Sequence, residues 1–91
     1  MIYTFRPTSP ADIAALPAIE RAAAQRFTLL PEFSWLAAGP AICAERHQHF
    51  VSQAMSWLAL ADNRPVGFLL AEAHDASLFI VEFSIHLDWQ G

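Results

Sequence analysis

Glu82 is the residue best suited to chemistry in this chain of 91 amino acids. It stands inside Leu78-Phe79-Ile80-Val81-Glu82-Phe83-Ser84-Ile85-His86, a lone carboxylate in a run of β-forming residues. If that run is a strand, Glu82 points away from the face that carries Phe83 and Ile85. Apolar neighbours strip water from a carboxylate, and desolvation moves its proton affinity towards that of a general base. A carboxylate paired with an arginine, or one that caps a helix, would account for the same residue without catalysis.

The other reactive types make weaker patterns. His47 and His49 are two apart on a segment that reads as a helix, so their rings point in different directions and do not chelate one metal. His86 closes the Glu82 strand, where a histidine bonded within its own loop is an equal reading. His74 and Asp75 read as turn residues. Cys43, the one cysteine, has no clustered cations to stabilise a thiolate and reads as a small buried helix residue. It cannot form an internal disulfide, which favours a reducing compartment.

Composition narrows the classes. The chain carries five arginines, no lysine and nine acidic residues, for a formal charge of −4. The arginines are scattered, so counterion release from nucleic acid has no footprint here, and anionic membranes find no basic patch. No apolar run reaches membrane-spanning length, and the start shows no apolar core of a signal peptide. A cytoplasmic soluble protein is expected. The apolar fraction of 55% is high for so short a chain, whose surface is large for its volume.

These residues need elements to hold them. Ile2–Arg6 reads as a first strand ended by Pro7. Ser9-Pro10-Ala11-Asp12 is a helix start, with Ser9 as cap, Pro10 in the first position and Asp12 as the capping-box acid. Pro17 interrupts the pattern and predicts a kink or a late helix start. The helix is expected to end near Arg26. Residues 28–40 form an apolar loop that must pack on something or cover a pocket. Ala41–Ala54 reads as a second helix with Ile42, Phe50 and Val51 inward. Met55–Ala61, Val66–Ala73 and Leu78–His86 then read as strands of an antiparallel meander, joined by turns at 62–65 and 74–77. Phe68–Ala71 and Leu78–Val81 lack alternation, which predicts cover on both faces. The chain reads as one α+β domain, 1–91, ordered β-α-α-β-β-β, with two helices on an antiparallel sheet.

That order, together with three strings, resembles the GNAT superfamily of acyl-CoA N-acyltransferases. Phe5-Arg6-Pro7 followed by Asp12-Ile13 and Leu16 is similar to the family's first strand and helix. Asp62-Asn63-Arg64-Pro65-Val66-Gly67-Phe68 is similar to its hairpin between strands two and three. Glu82-Phe83-Ser84-Ile85-His86-Leu87-Asp88-Trp89-Gln90-Gly91 is similar to strand four running into the loop Gln/Arg-x-x-Gly-x-Gly/Ala. Gln90 and Gly91 match the first two of those six loop positions. Leu87 replaces the usual proline, a departure that touches loop rigidity more than chemistry. On this likeness the chain is expected to be the N-terminal, truncated portion of that fold.

The resemblance implies acetyl transfer from acetyl-CoA to a primary amine by direct attack. It implies that Phe83, Ser84 and Ile85 pair with the pantetheine amides, with Gln90 and Gly91 opening the pyrophosphate loop. It implies that Phe27, Phe33 and Trp35 line the acceptor site, where core packing is the competing reading. Glu82 would then take the proton of the amine, and a strand-four amide such as that of Ile85 would hold the oxyanion. With only part of the loop present, the 91 residues alone are expected to be inactive. The rival expectation is a non-catalytic fragment that serves for binding or dimerisation. An apolar strand with an open edge predicts a homo-oligomer, most simply a dimer. A third reading is a small α+β protein that binds an apolar ligand.

Overall fold

The computed structural model describes residues 2–25, 32 and 41–89. Strand β1 spans Tyr3–Pro7, helix α1 Leu16–Ala24 and helix α2 Ala44–Ser52. Strands β2, β3 and β4 span Ser56–Ala61, Arg64–His74 and Ser77–Ile85. They form one antiparallel sheet in the order β1-β2-β3-β4. The expected α+β order of β-α-α-β-β-β is therefore the observed one.

The entry to α1 follows the sequence signals. Asp12 accepts from the Ser9 backbone N–H at 2.8 Å and from the Ser9 hydroxyl at 2.9 Å. Arg6 holds the same carboxylate through both guanidinium nitrogens, at 2.7 and 3.0 Å. The chain first winds as a 3-10 turn over Pro10–Ala15 and becomes α-helical only at Leu16. Pro17 thus sits in the first turn of α1, where its missing N–H costs nothing.

Helix α2 is shorter than Ala41–Ala54. Its end is a Schellman motif: Met55 N–H donates to the Phe50 carbonyl at 2.9 Å and Ala54 N–H to that of Val51 at 3.1 Å. Ala54 takes the left-handed position with φ 56°, a place usually held by glycine, so the sequence gives no stop signal there. Cys43 precedes the helix as its N-cap and is exposed, not buried within it.

The turns are tighter than expected. Asp62 and Asn63 both have positive φ, 49° and 67°, so a two-residue loop joins β2 to β3 in the geometry that matches strand twist. Asp62 also ties down the start of the chain. Its Oδ1 accepts from Ile2 N–H at 2.9 Å, and its own N–H donates to the Ile2 carbonyl at 2.8 Å.

One face of the sheet carries both helices. Leu16 and Ile19 of α1 and Phe50 of α2 pack there on Leu58, Leu60, Phe68 and Leu70. Phe68, Leu70 and Ala71 are buried, but Leu69 is only half-buried on the opposite face, and Leu78 and Ile80 are 59% and 65% exposed. Among the described residues, neither Leu69 nor Leu78–Val81 has the second cover that the sequence predicts. The reason is topological: β4 is a sheet edge among the described residues, and no described element lies over its far face.

Candidate functional site

Strand β4 brings Glu82, Phe83, Ser84 and Ile85 onto two faces by simple alternation. Glu82 pairs with Leu70 and Ser84 with Phe68, so both point to the helix face. Phe83 pairs with Leu69 and Ile85 with Gly67, so both point to the opposite face. The division expected for Glu82 against Phe83 and Ile85 is present.

A bulge lies directly before Glu82. Leu70 pairs with Glu82 and Ala71 with Ile80, so Val81 is an extra residue without a partner on β3. Bulges bend a strand, interrupt the ladder and re-aim the neighbouring side chains. A second bulge makes Val66 the extra residue of β3 against β2. Neither valine carries a sequence signal for this, because a bulge is visible only once two strands are in register.

Around Glu82 the polar partners are few. Ser84, itself buried, donates its hydroxyl to Glu82 Oε1 at 3.1 Å. Among the described residues no arginine forms an ion pair with Glu82, and it caps no helix. Glu82 is half-buried on the face where α1 crosses β4. On that same helix Glu20 Oε1 accepts the backbone N–H of Ile42 at 2.9 Å, which fixes the lead-in to α2 against α1. Sequence reasoning gave Glu20 no such part.

The amides of β4 have a defined polarity. His86 N–H donates to the Val66 carbonyl at 2.8 Å. Alternation in an antiparallel ladder then directs the Ser84 amide towards β3 and those of Phe83 and Ile85 to the outer edge. The close approach of β3 to β4 depends on Gly67. A Cβ there would lie 2.7 Å from Ile85 Cδ1 and 2.9 Å from the Ser84 carbonyl oxygen.

The remaining residues fall elsewhere. His86 belongs to its own loop, accepting the Asp88 N–H on Nδ1 at 3.1 Å. His47 is completely buried and His49 exposed, so the two rings diverge. Among the described residues no three metal-ligating side chains are grouped, and no helix is long and apolar enough to cross a membrane. His74 and Glu72, 3.0 Å apart, border a cavity of about 210 Å³ beside His49 and Phe50, which sequence reasoning did not single out. Phe27, Phe33, Trp35, Gln90 and Gly91 lie outside the described residues.

No family model matches the sequence. Solved structures do. The chain is similar to the PaiA N-acetyltransferase from Thermoplasma acidophilum in complex with coenzyme A. The TM-score is 0.78 at 14% identity, over 98% of this chain and 62% of that one. It is similar to the loading GNATL domain of CurA from Lyngbya majuscula, with TM-score 0.72, 11% identity, and 99% and 51% coverage. It is also similar to N-acetylglutamate synthase from Neisseria gonorrhoeae, complexed with coenzyme A and N-acetyl-glutamate, with TM-score 0.69, 13% identity, and 100% and 19% coverage. The chain spans at most about three fifths of the length of these structures. Identities this low speak for the fold alone, and on that ground the chain carries the β-α-α-β-β-β portion of the GNAT acyltransferase fold.

Proposed function

We propose that residues 1–91 are the acceptor-side portion of an N-acetyltransferase that moves an acetyl group from acetyl-CoA to a primary amine. The observation that carries this reading is strand β4: a sheet edge among the described residues with the Phe83 amide outward, a bulge at Val81, and a half-buried carboxylate one residue beyond it. Two solved structures of this fold hold coenzyme A, and an edge strand is what an extended pantetheine arm needs for backbone pairing.

The proposed roles are those that the likeness to the acyltransferase fold implies, and the register of β4 supports them for Glu82 and Phe83. Phe83, Ser84 and Ile85 present β4 to the pantetheine amides, with Gln90 and Gly91 continuing towards the pyrophosphate. Glu82 accepts the proton of the attacking amine, and Ser84 orients its carboxylate. An outward amide of β4 stabilises the oxyanion as the thioester carbonyl is attacked. The C–S bond then breaks, the acetyl group stays on the amine nitrogen, and coenzyme A leaves as a thiolate that takes a proton from water, while Glu82 returns its own proton to solvent. Phe27, Phe33 and Trp35 line the acceptor side. The protein acts in the cytoplasm. The 91 residues alone are inactive and associate as a dimer through strand β4 or the exposed face of the sheet.

The test is a titration of the labelled chain with acetyl-CoA, followed by amide resonances. Shifts concentrated on residues 82–86, with a Kd near 1 mM or about 4 kcal/mol of binding, support the reading. Shifts elsewhere, or none at 5 mM, overturn it. In a longer polypeptide that carries these residues and turns over acetyl-CoA, Glu82→Gln lowers kcat and removes the acidic limb of the pH–rate profile. An unchanged profile makes Glu82 structural.

A further inference from the structure

Strand β3 outruns β2. Their register ends where Ser56 pairs with Leu70, and the Ala71 N–H donates to the Met55 carbonyl at 3.0 Å just before β2 begins. Beyond that point Glu72, Ala73 and His74 pair with β4 alone. The C-terminal turn of α2 lies beside this stub. His49, Phe50, Gln53 and Met55 face residues 71–74 across a cavity of about 210 Å³. No described residue of β4 lines it.

The charge around this cavity is negative. With the histidines neutral, Glu72 is the charged residue among its described walls. Leu70 packs in the core under the helices, so alternation puts Glu72 and His74 on the helix side of the strand. His74 Nε2 meets Glu72 Oε2 at 3.0 Å, and Oε1 is the oxygen that a ligand's donors would meet. Helix α2 ends at Ser52 with Gln53 as its cap, so the negative end of its dipole arrives at the same place. Antiparallel alternation from Ala71 also turns the Ala73 carbonyl to the side where β2 has stopped. The Arg46 guanidinium stands 5.8 Å from the Phe50 ring centre but does not line the cavity.

We infer that this cavity binds a small organic cation, an alkylammonium whose nitrogen meets Glu72 and whose carbon chain lies on Met55 and Ala73. The volume falls below the roughly 300–1,000 Å³ of pockets for drug-sized ligands, which limits the chain to a few carbons. An ammonium donates hydrogen bonds and accepts none. The Glu72 carboxylate, the Gln53 side-chain oxygen and a neutral ring nitrogen of His49 are acceptors of the matching kind. An anion would instead meet the carboxylate and the negative end of α2. A metal ion fits less well, because no third ligand is grouped with Glu72 and His74 among the described residues. Glu82 does not line this cavity, so the inference does not rest on acetyl transfer.

The test is a titration of the labelled chain with n-butylammonium at constant ionic strength, followed by amide resonances. Shifts are expected at residues 49–55 and 71–74, with a Kd on the order of 10 mM for so few heavy atoms. Glu72→Gln should weaken binding about tenfold, the scale of a hydrogen bond to a charged group. Glu45→Gln removes the same charge from the exposed first turn of α2 and should change binding less than about twofold. Equal losses in the two variants would reveal attraction to the acidic chain as a whole and overturn the inference. Butyrate, with the opposite charge, is expected to leave these resonances in place. If it shifts them as butylammonium does, the cavity does not select charge and the inference fails. Zinc chloride that binds there more tightly than butylammonium makes this a metal site and overturns it too. Shifts confined to residues 82–86 would put the amine at Glu82, which supports the acetyl-transfer reading and sinks this one. No shift at about 100 mM, well above the expected Kd, also overturns it.

Discussion

The two faces of the sheet are built from the same four strands, yet they solve different problems. The helix side is a closed core, in which Leu58 and Leu70 are fully buried and Phe68 is 2% exposed. The far side is no less apolar, yet Phe5 and Phe83 stand largely in solvent. Hydrophobicity alone does not therefore locate the core of this chain. What decides is which face has helices attached, and in β3 that difference falls between neighbouring residues. Leu70 belongs to the packed cluster, and Leu69, next to it, lines an open trough on the far side.

Truncating that pair gives the largest expected contrast. Leu70→Ala should cost about 2–5 kcal/mol, because it leaves a cavity that packed neighbours cannot fill. Leu69→Ala should cost less than about 1.5 kcal/mol in the monomer, since its surroundings are open and it loses mainly transfer energy. Urea unfolding at low protein concentration measures both. Equal losses would mean that the open face is packed as tightly as the closed one. If the copies pair through the open face, the cost of Leu69→Ala grows with protein concentration and that of Leu70→Ala does not.

The closed face was the more legible of the two. Ser9, Pro10 and Asp12 marked the helix entry by their capping chemistry, and Pro17 marked its late α-helical start. Asp62-Asn63 marked the hairpin, because both residues tolerate the left-handed backbone that a two-residue loop demands. The end of α2 was hidden, since Ala54 fills the place of the usual glycine. The bulges at Val66 and Val81 were hidden because they arise from pairing, which single-strand patterns do not encode. Non-alternating apolar strands suggested two covered faces. Only the described topology separates Val66, 3% exposed on an inner strand, from Ile80, 65% exposed on the edge. At the site, the face on which Glu82 lies followed from strand periodicity. Its Ser84 partner, and the absence of an arginine beside it among the described residues, needed coordinates.

His47 is the one imidazole sealed into the closed face among the described residues, and its titration sharpens the comparison. Neither ring nitrogen has a hydrogen-bond partner, and the ring meets Phe68 of β3 edge to face at 5.2 Å. Burial lowers its proton affinity, and the neighbouring Arg46 charge lowers it further. The folded state thus resists a proton that the unfolded chain accepts near pH 6.5. Stability is full above that pH and falls as pH drops below it, by up to about 1.4 kcal/mol per pH unit. His47→Leu should remove this slope and match or exceed the wild type at pH 7, because it exchanges an unpartnered polar ring for an apolar side chain. Denaturant midpoints from pH 7.5 to 5 provide the check. A slope that survives the substitution would assign it to another group.

The smallest expected effect lies at the rim of the closed face, where Asp12 joins β1 to the first helical turn. The paired Arg6 guanidinium is the main cause that holds the Asp12 carboxyl well below the usual carboxylate range, and the Ser9 N–H and hydroxyl add to it against partial burial. A depressed folded value means that Asp12 stabilises the fold above the unfolded value near 4 and loses that contribution as pH falls further. Arg6 is 44% exposed, so solvent screening leaves little to the ion pair itself and the cap supplies most of the effect. Asp12→Asn keeps an oxygen acceptor for one Ser9 donor but gives up the charge. It should cost about 0.5–1 kcal/mol at pH 7. The gap should narrow from pH 4 downwards, as protonation brings the wild-type carboxyl towards the neutral amide. Thermal unfolding of both proteins at pH 7, 4 and 2.5, with Leu70→Ala beside them as a pH-independent loss, separates the two kinds of damage. A gap that stays constant across the series would show that Asp12 acts by shape and not by charge.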